Sequence, residues 1–167
     1  QEVRAEMSIP ESATVFCFCA NGTHRRKGFW LALDGLALVP DLDGVLLMVI
    51  GGSDEALGRI RELVRAEYPQ LDGVLHYTGQ LSGGVSRYMS ACDALLFPSY
   101  FEAFSLVEIE AAALGLPLFL TPHHGTEMIL QDGVNGRLLP WEPEGIAAVL
   151  EESLGRGIER VDPPGVG

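Results

Sequence analysis

The sequence predicts an α/β fold, a doubly wound parallel sheet of about six strands with helices on both faces. Two observations carry the expectation. Short unbroken apolar runs, clearest in Val45-Leu46-Leu47-Met48-Val49-Ile50 and Ala94-Leu95-Leu96-Phe97, fit strands covered on both faces. Between them lie longer stretches whose apolar residues recur at helical spacing. At 167 residues the chain is expected to be a single domain over 1–167, able to bury a real core.

Taken in order, residues 1–12 are polar, contain Pro10 and are expected to be a linker-like start. Thr14 to Ala20 forms the first strand; Cys17 and Cys19 share one of its faces and read as small buried residues rather than metal ligands. After the loop Asn21-Gly22-Thr23-His24-Arg25-Arg26, a helix runs from Lys27 or Gly28 to Val39, burying Phe29, Trp30, Leu33 and Leu36, and Pro40 stops it. Val45–Ile50 is the second strand, Gly51-Gly52-Ser53 its turn, and residues 54–68 a helix with Leu57, Ile60, Leu63 and Val64 inward. A third strand spans Val74–Thr78 and ends at Gly79; a short helix spans Val85–Cys92, and Ala94–Phe97 is the fourth strand.

A helix beginning at Ser105 follows, then a fifth strand at Leu118–Thr121, a helix at Thr126–Gln131, a short sixth strand at Gly136–Leu139 and a last helix at Glu144–Leu154, with Trp141 packed under it. Residues 155–167, with Pro163, Pro164 and several glycines, are expected to fray as a flexible tail.

Composition narrows the function. A net charge of −12 and a pI near 4.6 argue against general nucleic-acid affinity, which needs a basic footprint. The 47% hydrophobic content and mean hydropathy of +0.20 fit a globular chain, and no apolar run approaches a membrane span. Gln1-Glu2-Val3-Arg4 has neither initiator Met nor signal-peptide pattern, which suggests a fragment or processed chain. Three cysteines, Cys17, Cys19 and Cys92, form no disulfide framework and suit a reducing cytosol.

In doubly wound sheets ligands sit beyond the carboxyl ends of the strands. The loops there are 21–27, 51–54, 79–84, 98–105 and 121–126. The first holds His24-Arg25-Arg26-Lys27, with the only lysine of the chain, and is the one local basic site for an anionic ligand. It contains neither G-x-G-x-x-G nor G-x-x-x-x-G-K-S/T, which disfavours a dinucleotide dehydrogenase and a P-loop NTPase. Lys27 with Arg25 or Arg26 would instead meet a diphosphate, helped by helix amides from other loops.

Glu102 stands at the mouth of the Ser105 helix and Glu110 within it, on a face otherwise made of Leu106, Val107, Ala113 and Leu114. Both carboxylates are suited to accept from sugar or ribose hydroxyls. Glu108, three residues after Ser105, fits a capping box and reads as structural. His123 and His124 divide between loop or phosphate-side contacts and a solvated turn, and His76 reads as a core or edge residue of its strand.

These residues occur in a recognisable order. Lys27-Gly28 follows the first strand and Gly51-Gly52 the second; Asp93–Ser99 leads to Glu102, then Glu110-Ala111, Gly115-Leu116-Pro117 and Asp132-Gly133-Val134-Asn135-Gly136. The set resembles the C-terminal, donor-binding half of retaining GT-B glycosyltransferases of group 1, over roughly residues 14–152. That group includes lipopolysaccharide core, capsule and mannosyl transferases. The fold so implied is one Rossmann-like half of a GT-B enzyme.

The resemblance implies roles. Glu110 would bind the nucleotide ribose, and Glu102 would lie by the donor sugar and the reacting centre. The backbone at Ala103, Phe104 and Ser105 would contact sugar or phosphate, and the amides of Leu106 and Val107 would approach the distal phosphate. Lys27 would hold the diphosphate with Arg26 or Arg25 beside Gly22, and the segment from Tyr77 through Gly79 to Leu81 would flank the base. The family usually has Gly at Ser105, and often an arginine directly after the first-strand glycine, where this chain has Thr23.

The implied activity is transfer of a hexose from a nucleoside diphosphate sugar to a glycan or lipid-linked acceptor in polysaccharide biosynthesis, with no metal and no cofactor beyond the donor. The implied partners are that donor, the acceptor and a missing N-terminal GT-B domain, without which the fragment alone is expected to be inactive. The implied setting is cytoplasmic, at the inner face of the membrane or away from it. Two further classes stay open: a GT-B-shaped sugar-nucleotide epimerase, and a noncatalytic nucleotide-binding or interaction module.

Overall fold

The computed structural model describes residues 1–19, 27–81 and 83–163. Its centre is a parallel sheet of β1 (Thr14–Cys19), β2 (Val45–Ile50), β3 (Leu75–Tyr77), β4 (Ala94–Phe97), β5 (Leu118–Leu120) and β6 (Gly136–Leu138), in the spatial order β3-β2-β1-β4-β5-β6. The chain builds outward from β1 to β3, then returns to lay β4 on the other side of β1. The switch point therefore lies between β1 and β4, and the loops leaving those two strands are brought together there.

The helices are α1 (Glu2–Glu6), α2 (Phe29–Ala37), α3 (Asp54–Glu67), α4 (Val85–Met89), α5 (Leu106–Ala113), α6 (Thr126–Ile129) and α7 (Pro143–Arg156), with a 3-10 turn at Pro69–Leu71. Residues of β1, β2 and β4 are almost all buried, as unbroken apolar runs require. Phe16 and Phe119 meet edge to face, as do Phe18 and Phe29, and each such fully buried side chain contributes about 1.5–3 kcal/mol. Helices α2 and α7 approach closely at Gly35, where a Cβ would lie 2.4 Å from Ile146 Cγ2.

The observed elements follow the expected ones in order and type, with four local differences. The expected linker-like start holds α1, which buries Val3, while Ile9 joins the core and Arg4 pairs with Asp93 at 2.9 Å and donates to the Ala13 and Ala91 carbonyls. The expected flexible tail is tied down as far as it is described. Arg160 donates to the Leu114, Ser90 and Cys92 carbonyls, and the Val161 amide to Gly115. Leu63 is 50% exposed, because the buried stripe of α3 is Leu57, Ile60 and Val64. Trp141 lies not under α7 but stacked on Tyr100, with ring centroids 5.3 Å apart. No helix among the described residues is long and apolar enough to cross a membrane.

Candidate functional site

Lys27 and Glu102 meet at the switch point. The loop from β1 enters α2 through Gly28, whose φ is +80° and where a Cβ would lie 1.9 Å from the Pro98 carbonyl oxygen, so only glycine lets this turn lie on the end of β4. That close approach sets Lys27 over Phe97 and in reach of the next loop. Its Nζ donates to Glu102 Oε1 at 2.6 Å. Ser99 Oγ lies 2.8 Å from the same oxygen and 3.2 Å from the Phe101 carbonyl; one hydroxyl proton serves one of them, and the shorter, charged acceptor is favoured. The Ser99 carbonyl in turn accepts from Thr121 Oγ1, and the Thr121 carbonyl from Thr126 Oγ1, which ties the loops after β4 and β5 together.

Glu102 is 5% exposed and borders a cleft of about 910 Å³ between α5 and α6, with Ala103, Phe104 and Ser105 beside it. Phe104 and Leu106 are 73% and 63% exposed, so the mouth of α5 presents apolar surface outward. Ser105 is the N-cap of α5: its hydroxyl accepts from the Glu108 amide at 3.3 Å, which turns the side chain onto the helix end. The amides of Leu106 and Val107, in the first helical turn, take no acceptor among the described residues and remain free for an anion.

Glu110 is half-buried on α5 and lies close enough to β1 to act on Cys19. Burial, and then the Glu110 charge, push that thiol up to about 11. Glu110 is thus within electrostatic reach of the carboxyl end of β1, where the basic loop begins. The expected diphosphate ligands Gly22, Arg25 and Arg26, and His24 with them, lie outside the described residues.

On the other side, Gly79 bridges Gly51, and Thr78 Oγ1 accepts from the Gly51 amide at 2.9 Å, so the turns after β2 and β3 form one unit that carries Leu81. Asp41-Leu42-Asp43 has D-x-D spacing, but it precedes β2 at the amino ends of the strands, away from these loops. Among the described residues no cluster of His, Cys, Asp or Glu could hold a metal ion.

The sequence reading missed the second charged pair of this end of the sheet. Glu108 is 4% exposed and its carboxylate goes not to the helix cap but to His123 Nε2, so only the Ser105 half of the capping box forms. His123 Nδ1 lies 3.0 Å from the His124 carbonyl. Both ring nitrogens face acceptors, and only the imidazolium can donate to both. Burial opposes that charge, but the hydrogen bonds to Glu108 and to the His124 carbonyl, with the charges of Glu108 and Glu102, more than offset it and hold the pKa above the ordinary value. His124 is exposed, as a solvated turn residue would be, whereas the burial of His123 against Glu108 fits neither of the readings left open for it. The signal was the position of Pro122–Gly125 after β5, which in a parallel sheet falls beside the helix that follows β4.

Residues 13–155 match the family described as glycosyl transferases group 1. The chain belongs to that family. As a group 1 member it is 30% identical over 157 residues to a D-inositol 3-phosphate glycosyltransferase of Corynebacterium kroppenstedtii, a match over 90% of this chain and 35% of the relative. Its fold matches the sucrose-phosphate synthase of Thermosynechococcus elongatus with a TM-score of 0.77 at 27% identity, over 92% of this chain and 39% of the other. It also matches Anabaena HepE in complex with UDP and glucose, with a TM-score of 0.76 at 21% identity, over 92% of this chain and 41% of that one. The chain thus spans little more than a third of the D-inositol 3-phosphate glycosyltransferase and about two fifths of these solved structures. The α/β sheet is one Rossmann-like unit of the kind that GT-B glycosyltransferases contain.

Proposed function

We propose that this group 1 chain is the donor-binding half of a retaining, metal-independent glycosyltransferase that passes a hexose from a nucleoside diphosphate sugar to a glycan or lipid-linked acceptor. The observation that carries the reading is the meeting of Lys27 with Glu102 at the switch point, with Glu110 on the adjoining helix within electrostatic reach of the end of β1. Similar solved folds are described with UDP and glucose, or with UDP-glucose, which fits a diphosphate donor.

In this reading the lysine has two acceptors to choose between. Without a nucleotide it neutralises Glu102; an arriving diphosphate draws it away and leaves Glu102 to accept from sugar hydroxyls. Glu110 accepts from the ribose diol. As the bond from sugar to phosphate breaks, negative charge builds on the leaving diphosphate, where Lys27, Arg26 or Arg25, and the amides of Leu106 and Val107 stabilise it. The rest of the enzyme supplies the binding site for the acceptor, whose hydroxyl takes the hexose and gives up its proton, and the other wall of the cleft; the three buried free thiols fit work in the reducing cytoplasm.

Calorimetric titration of the chain with UDP, GDP and ADP tests the donor site. One nucleotide is expected to bind, and Lys27→Ala and Glu110→Ala are each expected to weaken it about tenfold, the scale of one charge-assisted hydrogen bond. Absence of binding by all three would overturn the donor role, and unchanged affinity in both variants would overturn the site. Product analysis with the full-length protein, with and without an acceptor, separates transfer from epimerisation.

A further inference from the structure

The described residues include nine of the eleven lysines and arginines of the chain. Seven have partners: Lys27, Arg4, Arg59, Arg87, Arg137 and Arg156 pair with carboxylates, and Arg160 donates to three backbone carbonyls. Arg61 and Arg65 have neither an ion pair nor a hydrogen-bond acceptor among the described residues, in a chain that carries 23 acidic side chains. They lie four apart on α3, where like charges face each other at a cost. Both border a cleft of about 860 Å³ between α1, α3 and the outer edge of β3, at the edge of the sheet rather than the switch point.

Tyr77, on the edge strand, stands on the same wall. The Arg61 guanidinium lies 4.8 Å from the centre of its ring. The Tyr77 hydroxyl is buried and has no hydrogen-bond partner among the described residues, an arrangement that costs free energy unless something completes it. Burial raises the pKa of that hydroxyl, and the charges of Arg61 and Arg65 lower it. The carboxylates on the cleft are Glu6 and Asp72, and Glu6 is already held by Arg87 at 2.8 Å. His76 and the apolar side chains Val64 and Leu71 complete the lining, so that two cations without a carboxylate partner and a donor phenol stand over an apolar floor.

We infer that this cleft is a second ligand site, on the outer edge of β3 rather than at the switch point and sharing only Tyr77 with the segment expected to flank the base, that binds a small organic anion carrying a phosphate or carboxylate group on an apolar or aromatic body. The anion bridges the Arg61 and Arg65 guanidiniums and accepts from Tyr77, while the body lies on Val64 and Leu71. The volume falls within the range of small-molecule sites. A peptide added to the sheet edge is the weaker reading, because β3 is three residues long and offers few free backbone groups.

The test is titration of the chain, saturated with UDP to fill the donor loops, with phenyl phosphate, benzoate, inorganic phosphate and a short acidic peptide. Phenyl phosphate is expected to bind at one site and more tightly than inorganic phosphate. The Arg61→Gln, Arg65→Gln double variant is expected to lose at least about tenfold in affinity for it, with UDP affinity unchanged. Four results would overturn the inference: no saturable binding of any probe, the same affinity in the double variant, displacement of the probe by UDP, or binding of an acidic peptide with none of the small anions.

Discussion

Glu102 and Glu108 are six residues apart and about equally buried, at 5% and 4% exposed, and each is paired with a cation. The difference lies in the partner. Lys27 sits on a loop at the strand ends, and its side chain remains 25% exposed, so solvent or a ligand can reach it. His123 is enclosed, its side chain 1% exposed. Both carboxylates line the same cleft, but Lys27 can be drawn off by a ligand, whereas the ring of His123 is closed away from that cleft. What separates the two is therefore not the burial of the carboxylate but the accessibility of its partner.

The largest expected effect separates the two carboxylates. Glu108→Ala leaves His123 buried without its counter-charge and is expected to cost about 3 kcal/mol in urea unfolding. Replacing both, Glu108→Leu with His123→Leu, is expected to return stability to within about 1 kcal/mol of the parent, since an apolar pair of similar volume removes the desolvation cost of both charges. Glu102→Ala should do the reverse: a stability change of about 1 kcal/mol or less, but a loss of about a hundredfold in sugar transfer by the full-length enzyme, about 2.7 kcal/mol of transition-state stabilisation. A Glu108→Ala chain as stable as the parent would erase the distinction.

Next in size is Gly28, which joins the two properties that the carboxylates keep apart. Gly28→Ala forces a Cβ into a left-handed turn and against the Pro98 carbonyl, with an expected cost of about 2 kcal/mol. Because Lys27 is the preceding residue, UDP affinity should fall in the same variant. Loss of stability with full UDP affinity would show that the lysine is not placed by this turn.

The sheet was legible because burial on both faces writes itself as unbroken apolar runs, and the α2, α3 and α5 boundaries because Pro40, Ser53 and Ser105 mark them locally. Order and spacing put Lys27 and Glu102 in neighbouring loops at the strand ends, and the structure joins them. The rest depended on contacts between distant residues. Val3 and Ile9 are too few to show a periodicity, yet they dock α1. Trp141 had no local reason to choose Tyr100 over α7. Glu108 misled because Ser105 offered a sufficient local explanation, while its true partner stands fifteen residues on, across β5.

The enclosed pair should also show itself in pH. The pKa of His123 is raised on folding, so its contribution is fully present below the unfolded value of about 6.5 and is lost as pH rises through the folded one. The groups facing it are Glu108 and Glu102 by charge and the His124 carbonyl by hydrogen bond. Each unit by which the pKa is raised is worth about 1.4 kcal/mol. Urea unfolding of the parent and of His123→Gln from acid to alkaline pH should give two curves that converge as pH rises. Curves that diverge instead would mean that the ring is buried neutral.

The smallest expected effect tests Ser105, where the resemblance to the family leads one to expect glycine. Ser105 lies at φ −100°, a conformation open to any residue, and its hydroxyl is turned to the Glu108 amide. The side chain therefore caps α5 rather than pointing into the cleft. Ser105→Gly should cost only a few tenths of a kcal/mol, as glycine is itself tolerated at an N-cap, and should leave UDP affinity unchanged. A rise in affinity for a nucleotide sugar, but not for UDP, would instead place the hydroxyl in the path of the hexose. In that case Ser105 would belong with Glu102 among the groups that meet the donor, and not with Glu108 among those that hold the helix.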